Sequence, residues 1–211
     1  RRGVPVCCNA EVKRIEVEAT GAGRPRATGV TLANGARLQA DLVVSNADTA
    51  WTYRHLIEPQ HRRHWTDRRI DRGSYSMSLF VWYFGTRRQY PEVPHHMMLL
   101  GPRYKGLLDD IFKHHVLAED FSLYLHRPTA TDPAMAPPGC DAFYVLAPVP
   151  HLDSGTDWRT QAEPYRQRIA ALLERSVLPG LSENLTTSLV TTPQDFHDRL
   201  LSYKGAAFGL E

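Results

Sequence analysis

The chain has 211 residues, 42% hydrophobic and 23% charged, and its 25 Lys and Arg against 23 Asp and Glu leave a formal net charge of +2. These figures exclude a collagen, a disordered tail and a disulfide scaffold, which need a glycine period, a lopsided charge or far more than three cysteines. Without a block of like charges the balance also speaks against a dedicated nucleic-acid binder. A chain of this length buries roughly 70% of the surface its unfolded form exposes, enough for a sizeable core in one domain or in two partial ones.

Adjacent Cys7 and Cys8 disfavour a bridge between them and Cys140 is an odd third, so all three read as reduced thiols in a reducing compartment. The start, Arg1-Arg2-Gly3-Val4, carries no apolar signal core, and no stretch approaches the ~18 apolar residues of a membrane span. The start has no initiator Met and the run 205–211 reads as a passage in mid-element, so an internal fragment of a longer chain is expected.

In chain order, residues 9–19 alternate Ile15 and Val17 with charged neighbours, the pattern of a half-exposed strand, and Gly21-Ala22-Gly23 reads as a turn. The run 29–38 predicts two strands meeting across Asn34-Gly35, a strong hairpin signal, and so a β-meander. Residues 40–48 predict a short apolar return strand ending in a small polar turn. From 49 to 72, Trp51, Tyr53, Leu56 and Ile57 fall at helical spacing, with Pro59 as a break or a new helix start. Residues 76–84 are apolar on both faces beyond Ser78, as in a strand of a covered sheet, and Gly85 is expected to close it.

Further strands are predicted at 97–100, 121–126 and 141–149, with a helix over 105–114 and a proline-rich loop over 129–139. Residues 164–177 predict a helix with Pro164 at its first position and an apolar stripe of Ile169, Leu172, Leu173 and Val177, stopped by Pro179-Gly180. Residues 185–192 read as a strand, and Thr192-Pro193-Gln194-Asp195 caps a short helix toward Leu200. The fold class expected is α/β of an α+β kind: a mixed, largely antiparallel sheet with helices on one face.

Among candidate sites, His95-His96 and His114-His115 suggest a metal, but neighbours in a strand or helix point to different faces and no carboxylate stands at ligand spacing, so no metal site is expected. There is no Gly-x-Ser-x-Gly elbow, and neither Gly21-Ala22-Gly23 nor the run 205–209 has the order of a dinucleotide fingerprint; these read as turn glycines. Phe80, Trp82 and Phe84 alternate on one strand face, which suits a core or a ligand wall.

The passage from Val30-Thr31-Leu32-Ala33-Asn34-Gly35 through Ala40-Asp41-Leu42-Val43-Val44-Ser45-Asn46-Ala47-Asp48 resembles flavin-dependent carotenoid desaturases. So do Ser78-Leu79-Phe80-Val81-Trp82-Tyr83-Phe84-Gly85, Gly101-Pro102-Arg103-Tyr104 with the run 118–126, and the run 144–152. Together they are similar to the bacterial-type, lycopene-forming phytoene desaturases over essentially the whole chain. The resemblance implies an amine-oxidase-like flavoprotein: residues 1–48 as part of an FAD-binding domain, 49–72 as a helical connection, and 73–211 as a substrate domain lying against a membrane. It implies FAD as cofactor, its main binding motif outside these residues, and a peripheral enzyme on the cytoplasmic side of a membrane. The implied partners are a long apolar polyene and an electron acceptor such as oxygen or quinone.

The implied chemistry removes hydrogen from saturated C–C bonds, with hydride passing to the flavin and a proton lost from the neighbouring carbon. Such a substrate needs an apolar tunnel, for which Phe80, Trp82 and Tyr144 are candidate walls. By the same resemblance Val12 stands where related flavoproteins hold adenine through the backbone, and Ala47 where the chain passes the cofactor. No residue stands out as a catalytic base. The alternatives are a related isoprenoid desaturase, isomerase or saturase on the same fold, and a non-catalytic domain that binds an apolar ligand or a membrane surface.

Overall fold

The structure, a computed structural model, describes residues 3–19 and 24–210; the turn expected at Gly21-Ala22-Gly23 lies outside them. The chain divides into two compact units, one of Arg1–Ser74 with Gly209–Glu211, the other Tyr75–Phe208.

The first unit is built on an antiparallel meander of β1 (Val12–Glu18), β2 (Arg26–Leu32) and β3 (Arg37–Gln39), in the order β1-β2-β3. The expected hairpin forms: Gly35, at φ 86°, donates its N–H to the Leu32 carbonyl, and the Leu32 N–H donates to the Ala36 carbonyl. That positive φ is what Gly at this turn supplies without steric cost. At Gly29 the constraint is proximity, since a Cβ there would stand 2.1 Å from the Leu38 carbonyl oxygen of the neighbouring strand.

The return strand expected within 40–48 is not formed. Leu42 and Val44 are exposed, and among the described residues no strand pairs with this run. An apolar sequence becomes a strand only where a neighbour takes up its backbone N–H and C=O groups; Ala40 donates to the Thr28 carbonyl, and beyond it no strand among the described residues pairs with this run. The helical connection does form, as α1 (Thr49–Trp51) running into a π-helical turn over Thr52–Leu56, a 3-10 turn led by Pro59, and α2 (Asp67–Asp71). Asp48 and Thr66 cap the two α-helices through their side-chain oxygens.

The second unit is a five-stranded sheet in which all pairings are antiparallel. Its strands are β4 (Ser78–Thr86), β5 (His96–Leu99), β6 (Leu123–His126), β7 (Asp141–Val149) and β8 (Leu185–Thr191), ordered β5-β6-β7-β4-β8. Gly85 does not close β4; the strand runs on to Thr86, and Gly85 marks a register shift against β8. Between β5 and β6 stands α3 (Tyr104–Asp109), continued by a π-helical turn over Asp110–His114 that ends with His115 in the left-handed region.

The long helix α4 (Trp158–Ser176) covers one face of this sheet, its Trp158, Tyr165, Ile169 and Leu173 buried against Phe80, Trp82, Phe143 and Val145. It begins six residues before Pro164, capped by Asp157, so Pro164 lies inside it and not at its first position. A proline in a helix interior costs a backbone hydrogen bond, and the burial of Trp158 and Tyr165 on either side offsets that loss. A short α5 (Leu181–Asn184) follows Gly180, which is left-handed, and α6 (Pro193–Leu200) starts with the expected capping box of Thr192 and Asp195.

Candidate functional site

Pleat parity divides the second unit's sheet into two chemically different faces. On the helix-covered face β4 places Phe80, Trp82 and Phe84, paired across the sheet with Ala147, Val145 and Phe143 of β7. Phe80 and Trp82 are wholly buried. The Phe80 ring meets that of Tyr165 edge-on, centroids 4.9 Å apart, and the Trp82 indole donates to Ser188 Oγ at 2.7 Å.

The other face carries one continuous row of side chains across all five strands. Register sets His96 opposite His126, His126 opposite Tyr144, Tyr144 opposite Tyr83, and Tyr83 opposite Leu189. Four gaps of about 4.8 Å make this row roughly 19 Å wide. The rings touch along it: His96 to His126 at 5.2 Å, His126 to Tyr144 at 4.7 Å and Tyr144 to Tyr83 at 5.6 Å. A second row of Met98, Tyr124, Leu146, Val81 and Thr191 lies beside it. Met98, Tyr83 and Leu189 are exposed, while Tyr124, Tyr144, His126 and Leu146 are half-buried.

Burial and a hydrogen bond with Tyr124 push the Tyr144 hydroxyl up to about 12, so the phenol stays neutral at working pH. Burial, with His95 and His96 beside it, lowers His126. This face is therefore aromatic and rimmed with hydroxyl and imidazole groups. Chemically it suits a flat apolar molecule laid along the sheet.

The three expected tunnel residues do not share a wall: Tyr144 lies on the aromatic row, Phe80 and Trp82 on the opposite, helix-covered face. Register is the cause. It pairs Phe80 with Ala147 and Trp82 with Val145, so Tyr144, one residue from Val145, must point the other way. Sequence reasoning misses Tyr83, Tyr124 and His126 as site residues, although the alternation of Tyr124 and His126 against Leu123 and Leu125 already marks them as outward.

In the first unit, Ala47 lines an apolar cavity of about 430 Å³ with Ile15, Val17, Val43, Tyr53 and Trp65. Ser45 and Thr52 share a hydrogen bond of 2.8 Å at its wall. Val12 stands at the start of β1, paired with Leu32, and does not line this cavity. A dinucleotide needs a glycine-rich turn opening a helix to cradle its pyrophosphate, and the described residues of this unit hold no such turn. The cavity beside Ala47 can take an apolar ring; these residues do not by themselves hold a whole FAD.

A scan against known protein families finds no match. Curated relatives are similar at high identity: a neurosporene-forming phytoene desaturase of Rhodobacter capsulatus is 48% identical over 208 residues, 96% of this chain and 39% of that protein. A lycopene-forming phytoene desaturase of a Paracoccus species is 48% identical over 212 residues, 100% of this chain and 41% of its own. That of Pantoea ananas is 42% identical over 210 residues, 99% of this chain and 42% of its own. The chain thus spans about two fifths of the length of the curated relatives it matches. Among solved structures, an oxidoreductase from Methanosarcina mazei is similar in fold, with a TM-score of 0.52 and 18% identity over 85% of this chain and 36% of that one. Over essentially all its residues, then, the chain corresponds to a segment of the bacterial-type phytoene desaturases.

Proposed function

We propose that the chain is the substrate-bearing part of an FAD-dependent phytoene desaturase, dehydrogenating phytoene stepwise toward lycopene. The observation that carries the reading is the aromatic row across five strands, in a chain nearly half identical to phytoene desaturases. A C40 polyene precursor offers no polar handle, so its position depends on apolar and aromatic contact, which Tyr83, Tyr144, Leu146 and Leu189 supply. A bound flavin supplies the hydride acceptor. Tyr144, held neutral, puts no charge beside the chain.

The same reading makes the protein a peripheral membrane enzyme on the cytoplasmic side, with oxygen or a quinone as final electron acceptor. Its support is a second apolar surface around α3, where Leu100, Tyr104, Phe112 and Val116 are exposed next to Lys105 and Lys113. Apolar side chains beside Lys105, with Lys113 paired to Asp109, suit a lipid surface. Among the described residues no helix is long and apolar enough to cross a membrane.

The test is expression, in phytoene-accumulating cells, of the open reading frame in which these 211 residues stand. Coloured polyenes are expected, with a several-fold loss for Tyr144→Ala and near-parental output for Tyr144→Phe. Phytoene recovered unchanged from cells containing the folded protein would overturn the proposal.

A further inference from the structure

His95, His96 and His126 each offer one ring nitrogen, and these three atoms all lie within 4.8 Å of one another. Pleat alternation does not separate them, contrary to the expectation that neighbouring histidines diverge. His95 stands just before β5 and so outside the pleat, while His126 comes from the next strand, directly opposite His96. The Arg127 N–H donates to the His95 carbonyl at 2.9 Å and ties the two strand ends together.

The outward nitrogens already have oxygen partners. His95 Nδ1 is hydrogen-bonded to Thr131 Oγ1, and His96 Nδ1 to the Tyr124 hydroxyl at 2.6 Å. Such bonds fix the ring orientation and leave the Nε2 lone pair for a metal, the usual preparation of a ligating histidine by the groups around it. His95 Nε2 and His126 Nε2 meet at 2.7 Å. Two neutral imidazoles share one Nε2 proton at that distance, and a cation can take its place once that proton moves to the Nδ1 of its own ring.

We propose that His95, His96 and His126 form a binding site for a borderline divalent cation of the zinc type, through their three Nε2 atoms. Tetrahedral zinc with Zn–N of about 2.0–2.1 Å sets its ligand nitrogens about 3.3 Å apart, so the two close nitrogens need to part by roughly 0.6 Å and a pair as wide as 4.8 Å to close by roughly 1.5 Å. His95, outside the strand, is the ring positioned to make that movement. Coordination needs the Nε2 lone pairs, so with the cation bound each ring carries its proton on Nδ1, where His95 would donate to Thr131 Oγ1 and His96 to the Tyr124 hydroxyl oxygen. His126 Nδ1 is buried without a hydrogen-bond partner. His96 is exposed, which leaves the fourth coordination position open to water or another small ligand. The site shares His96 and His126 with the aromatic row, but cation binding is read without cofactor or polyene, so its failure and that of the desaturase reading are told apart.

The experiment titrates the purified protein with Co²⁺ and then Zn²⁺, in a background with Cys7→Ser and Cys8→Ser because both thiols are exposed and would compete. One equivalent of Co²⁺ should bring up visible d–d bands with no thiolate charge-transfer absorption, and Zn²⁺ should abolish them. His95→Ala and His126→Ala should each weaken binding at least tenfold. Thr131→Val, which keeps all three ligands, should weaken it roughly tenfold, the usual effect of removing a ligand's hydrogen-bond partner. Circular dichroism checks each variant; should His126→Ala misfold, His96→Ala at the exposed position decides the matter. Absence of cobalt bands, or variants that bind as tightly as the parent, would show a hydrogen-bonded imidazole pair and overturn the site.

Discussion

Asp141, 3% exposed, opens β7 with a carboxylate that accepts from the Tyr90 N–H at 2.7 Å, the Thr129 hydroxyl at 2.6 Å and the Arg127 guanidinium at 3.3 Å. Asp141→Ala would strand Arg127, itself buried, and should cost about 3–5 kcal/mol in a urea titration, whereas two isosteric apolar replacements would cost much less. His151 is a second buried polar residue, its Nδ1 accepting from the Asp153 N–H at the head of a 3-10 turn. Burial lowers its pKa, Asp153 opposes that, and His115 and Lys204 reinforce it. A histidine lowered on folding favours the neutral form in the native state, so its contribution is present above the unfolded value of about 6.5 and lost as pH falls below it. His151→Asn keeps a capping oxygen without titrating, and should flatten the acid side of a Tm-against-pH profile; an unchanged slope would assign the acid loss elsewhere, His55 and His126 being the other lowered histidines. At this scale the sequence is informative about chemistry and silent about partners. The free thiols match the cysteine arithmetic, but the groups that satisfy Asp141 come from distant residues and leave no local mark.

Elements are legible where their signals are local. The strand over Asp141–Val149 and the capped helix Pro193–Leu200 follow from alternation and from the spacing of Thr192 and Asp195, interactions that close within a few residues. Thr192 accepts from the Asp195 N–H and Asp195 from the Thr192 N–H at 2.8 Å, so Thr192→Ala should cost about 1 kcal/mol in thermal unfolding. The return strand does not form because its formation depends on a neighbour and not on its own apolar residues. The start of α4 escapes the sequence for the opposite reason: proline is a strong local signal, and the burial of Trp158 overrides it. Pro164→Ala should therefore stabilise the protein, by up to ~3 kcal/mol if the N–H restored at position 164 donates fully to the Thr160 carbonyl. A lower Tm in that variant would mean the proline is needed to seat Tyr165 in the core.

For the molecule as a whole, the candidate surface depends on register between strands far apart in sequence. That Phe80, Trp82 and Phe84 share a face is visible in their spacing; that α4 covers that face, and that Tyr144 faces away from it, requires the pairing of β4 with β7. The histidine cluster is hidden in the same way, since His96 and His126 are 30 positions apart and meet only through the β5–β6 pairing. On the apolar surface around α3, Leu100 and Phe112 are 66% and 43% exposed, and moving such side chains from water into an apolar phase is worth roughly 1.5–3 kcal/mol each when burial is complete. Partial burial at a lipid interface recovers a fraction of that, so Leu100→Asp with Phe112→Asp, which also adds two negative charges near an anionic surface, should weaken vesicle binding by about tenfold or more. Both positions lie outside the second unit's main core, so the fold should survive the change. Co-sedimentation with vesicles of mixed neutral and anionic lipid reads the effect. Lys105 predicts in addition that raising the salt concentration weakens the parent's binding, while an apolar anchor predicts that part of it persists at high salt. Equal sedimentation of parent and double variant would remove α3 from the membrane-facing surface.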